Sequence, residues 1–345
     1  MNIKYQKITY ILALCVIIIG TGLFLFSFLP HFIDSPTAKP IDNLTIASGS
    51  PEYSLLTLIA AENGYFRDHN LNVTLIFHST GVKAVETLLM DNADLAYAAE
   101  YVGVNLLFSN PNLKIIGTTA KSDVISLVIR SDRGIVTPND LNGKIIAVPK
   151  GTQAEFFLGR YLTLNGLNQS DITIRYIPPS DLVENISSGN VDAAIIWEPY
   201  VYSIQKKLGH QQITWSAQSG QQFYWVTYTL PDIIIQKSDI LTRYFQALSD
   251  AEHYIITSNE EALREIKENL NLSDDYLDTI WKKNQFTSTL DQSLIIAMED
   301  EARWMMKNNL TQTQTMPVYL NTIDCGILQS VKPASVNIIT EDGNA

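Results

Sequence analysis

The sequence lacks the residue patterns that normally accompany catalytic or metal chemistry. Its 345 residues include two cysteines, Cys15 and Cys325, and five histidines scattered along the chain. No Cys/His cluster has the spacing of a zinc site, and the HExxH, GxSxG and Walker A patterns are absent. Cys15 lies in an apolar N-terminal run, so a disulfide with Cys325 is not expected. We therefore expect no metal, no cofactor and no enzymatic activity.

A surplus of basic residues is also missing. The 24 Lys and Arg residues stand against 36 Asp and Glu residues, which gives a formal net charge of −12. Nucleic-acid binding needs clustered Lys and Arg, so a nucleic-acid partner is not expected. The hydrophobic content of 46% and charged content of 17% are typical of a globular chain. Once the N-terminal segment is set aside, about 300 residues remain, enough for two lobes with their own cores.

The N-terminal segment contains a long uncharged apolar run, residues 10–29. A helix of about 20 residues can span roughly 30 Å of hydrocarbon. Lys4 and Lys7 precede the run, so the positive-inside rule puts the N-terminus in the cytoplasm and the rest of the chain outside. We expect a cytoplasmic stub and single-pass anchor in the cell membrane at 1–30, followed by a tether at 31–42. A cleaved signal peptide is the alternative.

Two segments of the chain repeat one another without a gap. VETLLMDNADLAYAAE at 85–100 aligns with VENISSGNVDAAIIWE at 183–198. The repeat predicts two lobes built on one plan, each with an acidic residue just past a buried strand, Glu100 in one and Glu198 in the other. Two similar lobes imply a cleft between them, and a cleft implies a ligand.

The order of elements within each repeat predicts the fold class. Short apolar strands alternate with helical patterns in both halves, which indicates parallel βαβ units in an α/β fold. We expect a first lobe at 43–130 and 226–330 with C-terminal helices, a second lobe at 131–225, and a polar tail at 331–345. In such sheets a ligand sits beyond the carboxyl ends of the strands, so the turns there should face one cleft.

The motifs of the second lobe resemble a known family. DLNGKIIAVPKGTQAEFFL at 140–158 and SGNVDAAIIWEPY at 188–200 are similar to the solute-binding proteins of ABC importers for sulfonates, nitrate and taurine. That family also includes binding proteins for thiamine pyrimidine precursors, and the likeness covers roughly residues 43–330. The resemblance implies a monomer with a two-lobed periplasmic-binding-protein fold of type II, in which the chain crosses twice between lobes. It implies that ligand closes the lobes and that the closed form docks on a membrane permease driven by an ATPase subunit.

Related pyrimidine synthases share this fold and act as enzymes. They carry a cysteine-rich motif, whereas this chain has only Cys15 and Cys325. The departure counts against an enzymatic role.

Three turns at predicted strand ends are candidate ligand contacts. A helix N-terminus offers unpaired N–H groups and positive potential, which suit an oxyanion. Gly81 would let a ligand approach the backbone closely. The alternative is that it only supplies an unusual turn conformation. For the serine and threonines the alternative is an ordinary helix cap. The predicted contacts at these turns are Ser50, Thr80, Gly81, Gly151, Thr152 and Gln153.

Aromatic and acidic residues border the same turns. An aromatic lining suits an organic ligand better than an inorganic ion, although Trp197 also has a core-packing alternative. Several carboxylates beside a small dianion would be unfavourable. We therefore expect Glu100 or Glu198 to pair with an amine or ring NH of the ligand, unless these carboxylates point to solvent. The predicted contacts of this kind are Glu52, Tyr53, Glu100, Tyr101, Trp197 and Glu198.

Together these features predict an extracytoplasmic solute-binding component of an ABC importer. The solute would be a small organic molecule such as a sulfonate, a taurine-like compound or an aminopyrimidine. The alternative is a membrane-anchored ligand sensor. Such a sensor would need a separate signalling partner, because the short cytoplasmic stub leaves no room for a signalling domain.

Overall fold

The computed structural model describes residues 40–49, 51–110, 112–311 and 313–339, which form two α/β lobes. Strands of the first lobe, numbered along the chain, are β1 (Asp42–Ser48), β2 (Leu71–Phe77), β3 (Leu95–Ala99), β4 (Lys114–Ser122), β10 (Phe223–Thr229) and β11 (Asn284–Phe286). They lie in the order β11-β4-β10-β3-β1-β2. β1 pairs in parallel with β2 and β3, whereas β10 runs antiparallel to β3 and β4. β3 is buried along its whole length, as expected of a central strand covered on both faces.

A second sheet of five strands forms the core of the second lobe. Its strands are β5 (Ser126–Arg130), β6 (Ile145–Val148), β7 (Thr173–Tyr176), β8 (Ala193–Ile196) and β9 (Gln212–Ser216). They lie in the order β7-β6-β8-β5-β9. β6 is parallel to β7 and β8, and β5 is antiparallel to β8 and β9. The two sheets therefore share one plan, a parallel βαβ set extended by antiparallel strands.

Helices cover the faces of both sheets. Those of the second lobe are α5 (Gln153–Leu164), α6 (Pro179–Ser187) and α7 (Tyr200–Leu208). Those of the first lobe are α1 (Leu55–Glu62), α2 (Tyr65–Asp68), α3 (Gly81–Leu89), α4 (Glu100–Leu107), α8 (Pro231–Gln236), α9 (Ser238–Thr257), α10 (Asn259–Leu270), α11 (Asp274–Lys282), α12 (Gln292–Lys307) and α13 (Gly326–Val331). The long α9 packs on α1, α2 and α13, and α12 packs on α4.

The chain crosses between the sheets twice, at 123–125 and at 217–222. Gln218 is fully buried and ties the crossings together. Its Nε2 donates to the carbonyl of Ser122 over 2.9 Å, and its Oε1 accepts from the backbone N–H of Ile125 over 2.8 Å. The predicted α/β fold of two lobes is thus present. The crossings differ from the predicted lobe bounds by a few residues, because 126–130 pairs within the second sheet and 223–229 within the first.

The end of the described chain also differs from its prediction as a polar tail. Val336 and Ile338 are buried, and the backbone N–H of Asn337 donates to the carbonyl of Leu290 over 3.0 Å. Val336 and Ile338 alternate with more exposed residues, and their side chains add to the core of the first lobe. The apolar run at 10–29, predicted as a membrane anchor, lies outside the described residues. None of the helices in the described ranges has the length and apolarity needed to cross a bilayer.

Candidate ligand-binding site

A small cavity of about 30 Å³ lies between the two sheets, at the edge where the parallel strands end. Gly81 follows β2, Ala99 ends β3, Thr152 and Gln153 follow β6, and Trp197 follows β8. Both lobes therefore contribute to one cleft, as the βαβ pattern predicts. The described residues that line it are all uncharged: Gly81, Ala99, Val102, Ile125, Thr152, Gln153, Trp197, Phe223 and Trp225.

Three helices begin at this cavity, α3 at Gly81, α4 at Glu100 and α5 at Gln153. The N-terminal end of a helix carries partial positive charge and attracts an acceptor. In α4 and α5 the first turn already holds an acid, Glu100 and Glu155 respectively. Glu155 accepts from the backbone N–H of Gly151 over 2.7 Å. The first turn of α3 has no acid, so its start is the most electropositive of the three toward a ligand.

The start of α3 is tightly packed. A Cβ added at Gly81 would lie 2.7 Å from the Cβ of Ala98, so the backbone approaches β3 more closely than any larger residue would allow. The hydroxyl of Thr80 accepts from the backbone N–H of Lys83 over 3.3 Å, which is the ordinary cap that the sequence left as an alternative. Thr80 lines a neighbouring cavity of about 310 Å³ together with Lys83, Lys150 and Tyr176. Both lobes also form this second cavity, and it shares Thr152 with the first.

At the start of α5 the side chains face inward. The Thr152 hydroxyl donates to the carbonyl of Pro149 over 2.8 Å and does not cap the helix. Gln153 is buried, and its Oε1 accepts from the backbone N–H of Tyr101 over 3.3 Å. Its Nε2 donates to Glu301 Oε1 over 2.6 Å. Gly151 supplies the turn, with φ of 71°, a conformation that favours glycine.

Aromatic rings form much of the lining. Trp225 stacks on Tyr53 with ring centroids 3.7 Å apart, and its Nε1 donates to the Ser122 hydroxyl over 2.9 Å. Phe223 packs edge-on to Trp225 at 5.2 Å. Trp197 packs edge-on to Tyr200 at 6.1 Å. The rings are held by stacking and hydrogen bonds, so they present rigid apolar surfaces to a ligand.

Glu100 and Glu198 lie behind the lining and have partners within the protein. Glu100 is fully buried, and its Oε2 accepts from the backbone N–H of Tyr224 over 2.9 Å. Burial raises the pKa of Glu100 to about 8, and the backbone hydrogen bonds to its carboxylate oppose this shift. Glu198 Oε2 accepts from the backbone N–H of Tyr202 over 3.0 Å. Burial raises the pKa of Glu198, and the Lys283 ammonium 3.3 Å away opposes this shift.

The contacts of Glu198 also join the lobes. Its carbonyl accepts from the hydroxyl of Tyr53, and Lys283 reaches its carboxylate from the residue before β11. Because Tyr53 and Lys283 belong to the first lobe, these bonds bridge the cleft beside the cavity. The peptide bond from Glu198 to Pro199 is cis.

Tyr101 and Glu52 are not among the residues that line the cavity. The ring of Tyr101 packs against Phe156 and Trp304, and only its backbone N–H meets the pocket-lining Gln153. Glu52 is half-buried in the short 3-10 helix Pro51–Ser54. Ser50 lies outside the described residues. Of the predicted set, the cavity is lined by Gly81, Thr152, Gln153 and Trp197.

Sequence reasoning missed Phe223 and Trp225. The sequence from 225 to 238, WVTYTLPDIIIQKS, reads as the return crossing between the lobes, but residues 223–229 form β10 of the first sheet. The run of three aromatic residues at the start of a buried strand was the available signal. The described residues also show no group of three or more His, Cys, Asp or Glu side chains that could hold a metal ion.

Residues 52–262 match the family described as NMT1/THI5 like, so the chain belongs to that family. A proposed binding protein from Brucella abortus (strain 2308) is 26% identical over 66% of this chain and 72% of its own length. The solved alkanesulfonate-binding protein SsuA from Xanthomonas axonopodis pv. citri, bound to MOPS, matches with a TM-score of 0.70 and 20% identity. That match covers 84% of this chain and 99% of the other.

These relatives confirm the predicted resemblance to solute-binding proteins of ABC importers, with the periplasmic-binding-protein fold in two lobes. The fold is not confined to binding proteins. The desulfurization enzyme DSZB matches with a TM-score of 0.60 at 14% identity, over 84% of this chain and 99% of its own.

Proposed function

We propose that this chain is the extracytoplasmic solute-binding component of an ABC importer, and that it captures a small ring-containing solute for delivery to a permease. The observation that carries the proposal is the uncharged aromatic cavity between two lobes in a chain of this family. Because both lobes line it, a bound solute would be enclosed when they close. Enclosure between lobes is a mechanism of capture and release and requires no covalent step.

The charges around the cavity favour an uncharged or amine-bearing ring over a simple sulfonate. No basic side chain is among the lining residues, and the carboxyls of Glu100, Glu198 and Glu301 stand behind them. Lys283 is paired with Glu198. A fully charged sulfonate within this cavity would meet the start of α3 at Gly81, whereas Lys83 and Lys150 line the neighbouring cavity. An aminopyrimidine-like ring would instead stack among Trp197, Phe223 and Trp225, with one acceptor atom at that helix start.

A thermal-shift screen of the purified full chain tests the proposal. The panel holds aminopyrimidines, taurine, alkanesulfonates, nitrate and aromatic acids. A solute at 100 times its Kd should stabilise the protein by about 2.7 kcal/mol. The Trp197→Ala variant should lose the shift. Trp215→Ala is the matched control, since Trp215 stacks on Tyr161 in the second lobe and does not line the cavity.

A cellular assay separates the importer from the sensor and the enzyme. Deletion of the gene should abolish uptake of the radiolabelled solute identified by the screen, and the wild-type gene should restore it. Binding without any effect on uptake would favour the sensor. Conversion of the solute by the purified protein would favour an enzyme. Cys325, the cysteine in the described ranges, precedes α13 and does not line the cavity.

A further inference from the structure

One side chain reaches from the second lobe into the first beside the cavity. Gln153, at the start of α5, places its amide between α4 and α12 of the first lobe. Its oxygen accepts from the backbone N–H of Tyr101, and its nitrogen donates to Glu301 Oε1. Both Gln153 and Glu301 are buried. A pocket-lining residue therefore also carries a hydrogen-bonded link between the lobes.

The acceptor of this link is half of a buried acid pair. Glu301 lies in the middle of α12, which packs on α4, and Glu100 is the first residue of α4. Both side chains are fully buried. Within the described part of the chain, Glu100 Oε1 and Glu301 Oε2 have no hydrogen-bond partner. A buried carboxylate with an unsatisfied oxygen is unfavourable, so protonation is the available relief.

The groups around the pair add no positive charge to it. The Tyr319 hydroxyl is buried and unpartnered among the described residues, and Tyr228 donates to the carbonyl of Ala99. The nearby cation Lys121 lies over the ring of Tyr224 and pairs with Asp291. Burial, and after it the charge of Glu100, raises the pKa of Glu301 well above its ordinary value. The titratable groups that interact electrostatically with the pair are Tyr101, Tyr224, Tyr228, Asp300 and Tyr319. Behind these tyrosines lie the charged groups Glu155, Lys121, Asp291 and Glu299.

We propose that Glu301 is a positioning residue for solute capture, which holds Gln153 and closes the cleft while the Glu100–Glu301 pair keeps a proton. Loss of that proton opens the cleft. The proposal rests on the proposed binding function, whose cavity Gln153 lines. With one proton, the pair has a single charge, and Glu301 accepts from Gln153. With no proton, the two buried carboxylates repel each other across the interface of α4 and α12. The hydrogen bond from Gln153 to Glu301 then breaks, and water can reach both carboxylates.

The direction in which solute affinity changes with pH follows from the number of protons that each form binds. The closed form binds one proton more than the open form, because opening exposes the pair to water and returns its affinity for protons toward that of an ordinary glutamate. Between the ordinary glutamate pKa of 4.5 and about pH 8 the solute affinity should therefore fall with rising pH, by at most about tenfold per pH unit. Above that range it should level off.

The test measures lobe separation without any solute. Nitroxide spin labels are placed at the exposed Met90 of the first lobe and Val136 of the second, in the full chain with Cys15 and Cys325 replaced by serine. Pulsed electron paramagnetic resonance at about pH 6 and about pH 9 then gives the distance distribution. The variants are Glu301→Gln, Glu301→Leu and, as a matched control, Glu252→Gln. Glu252 is a buried glutamate of the first lobe that pairs with Lys332, away from the cleft.

We expect wild type and Glu252→Gln to gain a longer distance at the higher pH. Glu301→Gln keeps an acceptor but no charge, so the cleft of this variant should stay closed at both pH values. Glu301→Leu removes the acceptor and should be open at both. A wild-type distance that does not respond to pH, or a response that persists in Glu301→Gln, would overturn the proposal even if Glu301→Leu fails to fold. Since no solute is present, failure of the solute screen would count against the binding function alone.

Discussion

Asp94 and Asp192 make the same hydrogen bond in the two lobes. Asp94 Oδ2 accepts from the backbone N–H of Thr45 over 2.9 Å, and Asp192 Oδ2 accepts from that of Ile145 over 2.8 Å. The first bond ties the turn before β3 to β1, and the second ties the turn before β8 to β6. The internal repeat therefore preserves a structural bond at equivalent points of both sheets, in addition to its pattern of apolar residues.

Replacement of either aspartate by alanine should destabilise the fold. A partly buried backbone N–H would lose a charged acceptor, which costs about 2 kcal/mol. Asp94→Ala also removes a 2.7 Å ion pair with Lys237, which is closer than the 3.5 Å pair of Asp192 with Arg133, so it should be at least as damaging as Asp192→Ala. Urea denaturation gives the free energies of unfolding. The exposed pair of Asp278 with Lys282 provides the control, and Asp278→Ala should change stability by less than about 0.5 kcal/mol.

Gly81→Ala should reduce both stability and solute affinity. The new Cβ would lie 2.7 Å from the Cβ of Ala98, and relief of that contact would push the start of α3 out of place. The expected loss is about 1–3 kcal/mol of unfolding free energy. The double variant Gly81→Ala with Ala98→Gly removes the opposing atom and should recover most of the loss. Equal stability of wild type and the single variant would show that the start of α3 is not tightly held.

Gln218→Leu should loosen the two crossings. Its amide bonds three backbone groups of the crossings, so their loss leaves buried polar groups unsatisfied and costs about 2–4 kcal/mol. Limited proteolysis should show faster cleavage at the crossings, and thermal unfolding should occur at a lower temperature. The exposed Gln236 is the control. Gln236→Leu should change the free energy of unfolding by less than about 0.5 kcal/mol and leave the cleavage pattern as in wild type.

The free energy of unfolding should fall as pH rises toward about 8. Burial raises the pKa of Glu100 from its ordinary 4.5 to about 8, so the folded form keeps a proton that the unfolded form releases. Between those values each pH unit should cost at most about 1.4 kcal/mol, and the loss should level off above the upper value. Chemical denaturation from about pH 5 to about pH 9 measures the slope. Glu100→Gln should reduce the slope, and Glu301, whose pKa burial also raises, should contribute what remains. An unchanged slope in that variant would assign the effect to other groups.

The sequence predicts the lobes and part of the site, for physical reasons that also explain its misses. The turns that follow the parallel strands include Gly81, Thr152, Gln153 and Trp197, and these four line the cavity. That they contact a ligand stays a prediction. Trp225 escapes this rule because β10 is antiparallel and brings its beginning, not its end, to that edge.

Two other features depend on contacts that sequence spacing cannot show. Glu301 is distant from Gln153 along the chain, and only the packing of α12 on α4 brings its carboxyl to the lobe interface. The acidic turns were expected to meet a ligand. In the structure Glu100 instead accepts from Tyr224, and Glu198 pairs with Lys283. Whether these carboxyls also act on a solute stays a prediction.

Paired calorimetric titrations show whether the cleft selects an uncharged or amine-bearing ring over a simple sulfonate. The full chain is titrated with a series of aminopyrimidines and with alkanesulfonates of similar size. We predict saturable binding with an aminopyrimidine that is lost in Trp197→Ala and retained in Trp215→Ala. Tight binding of an alkanesulfonate, together with no binding of any ring compound, would contradict the preference for a ring that the charges around the cavity favour.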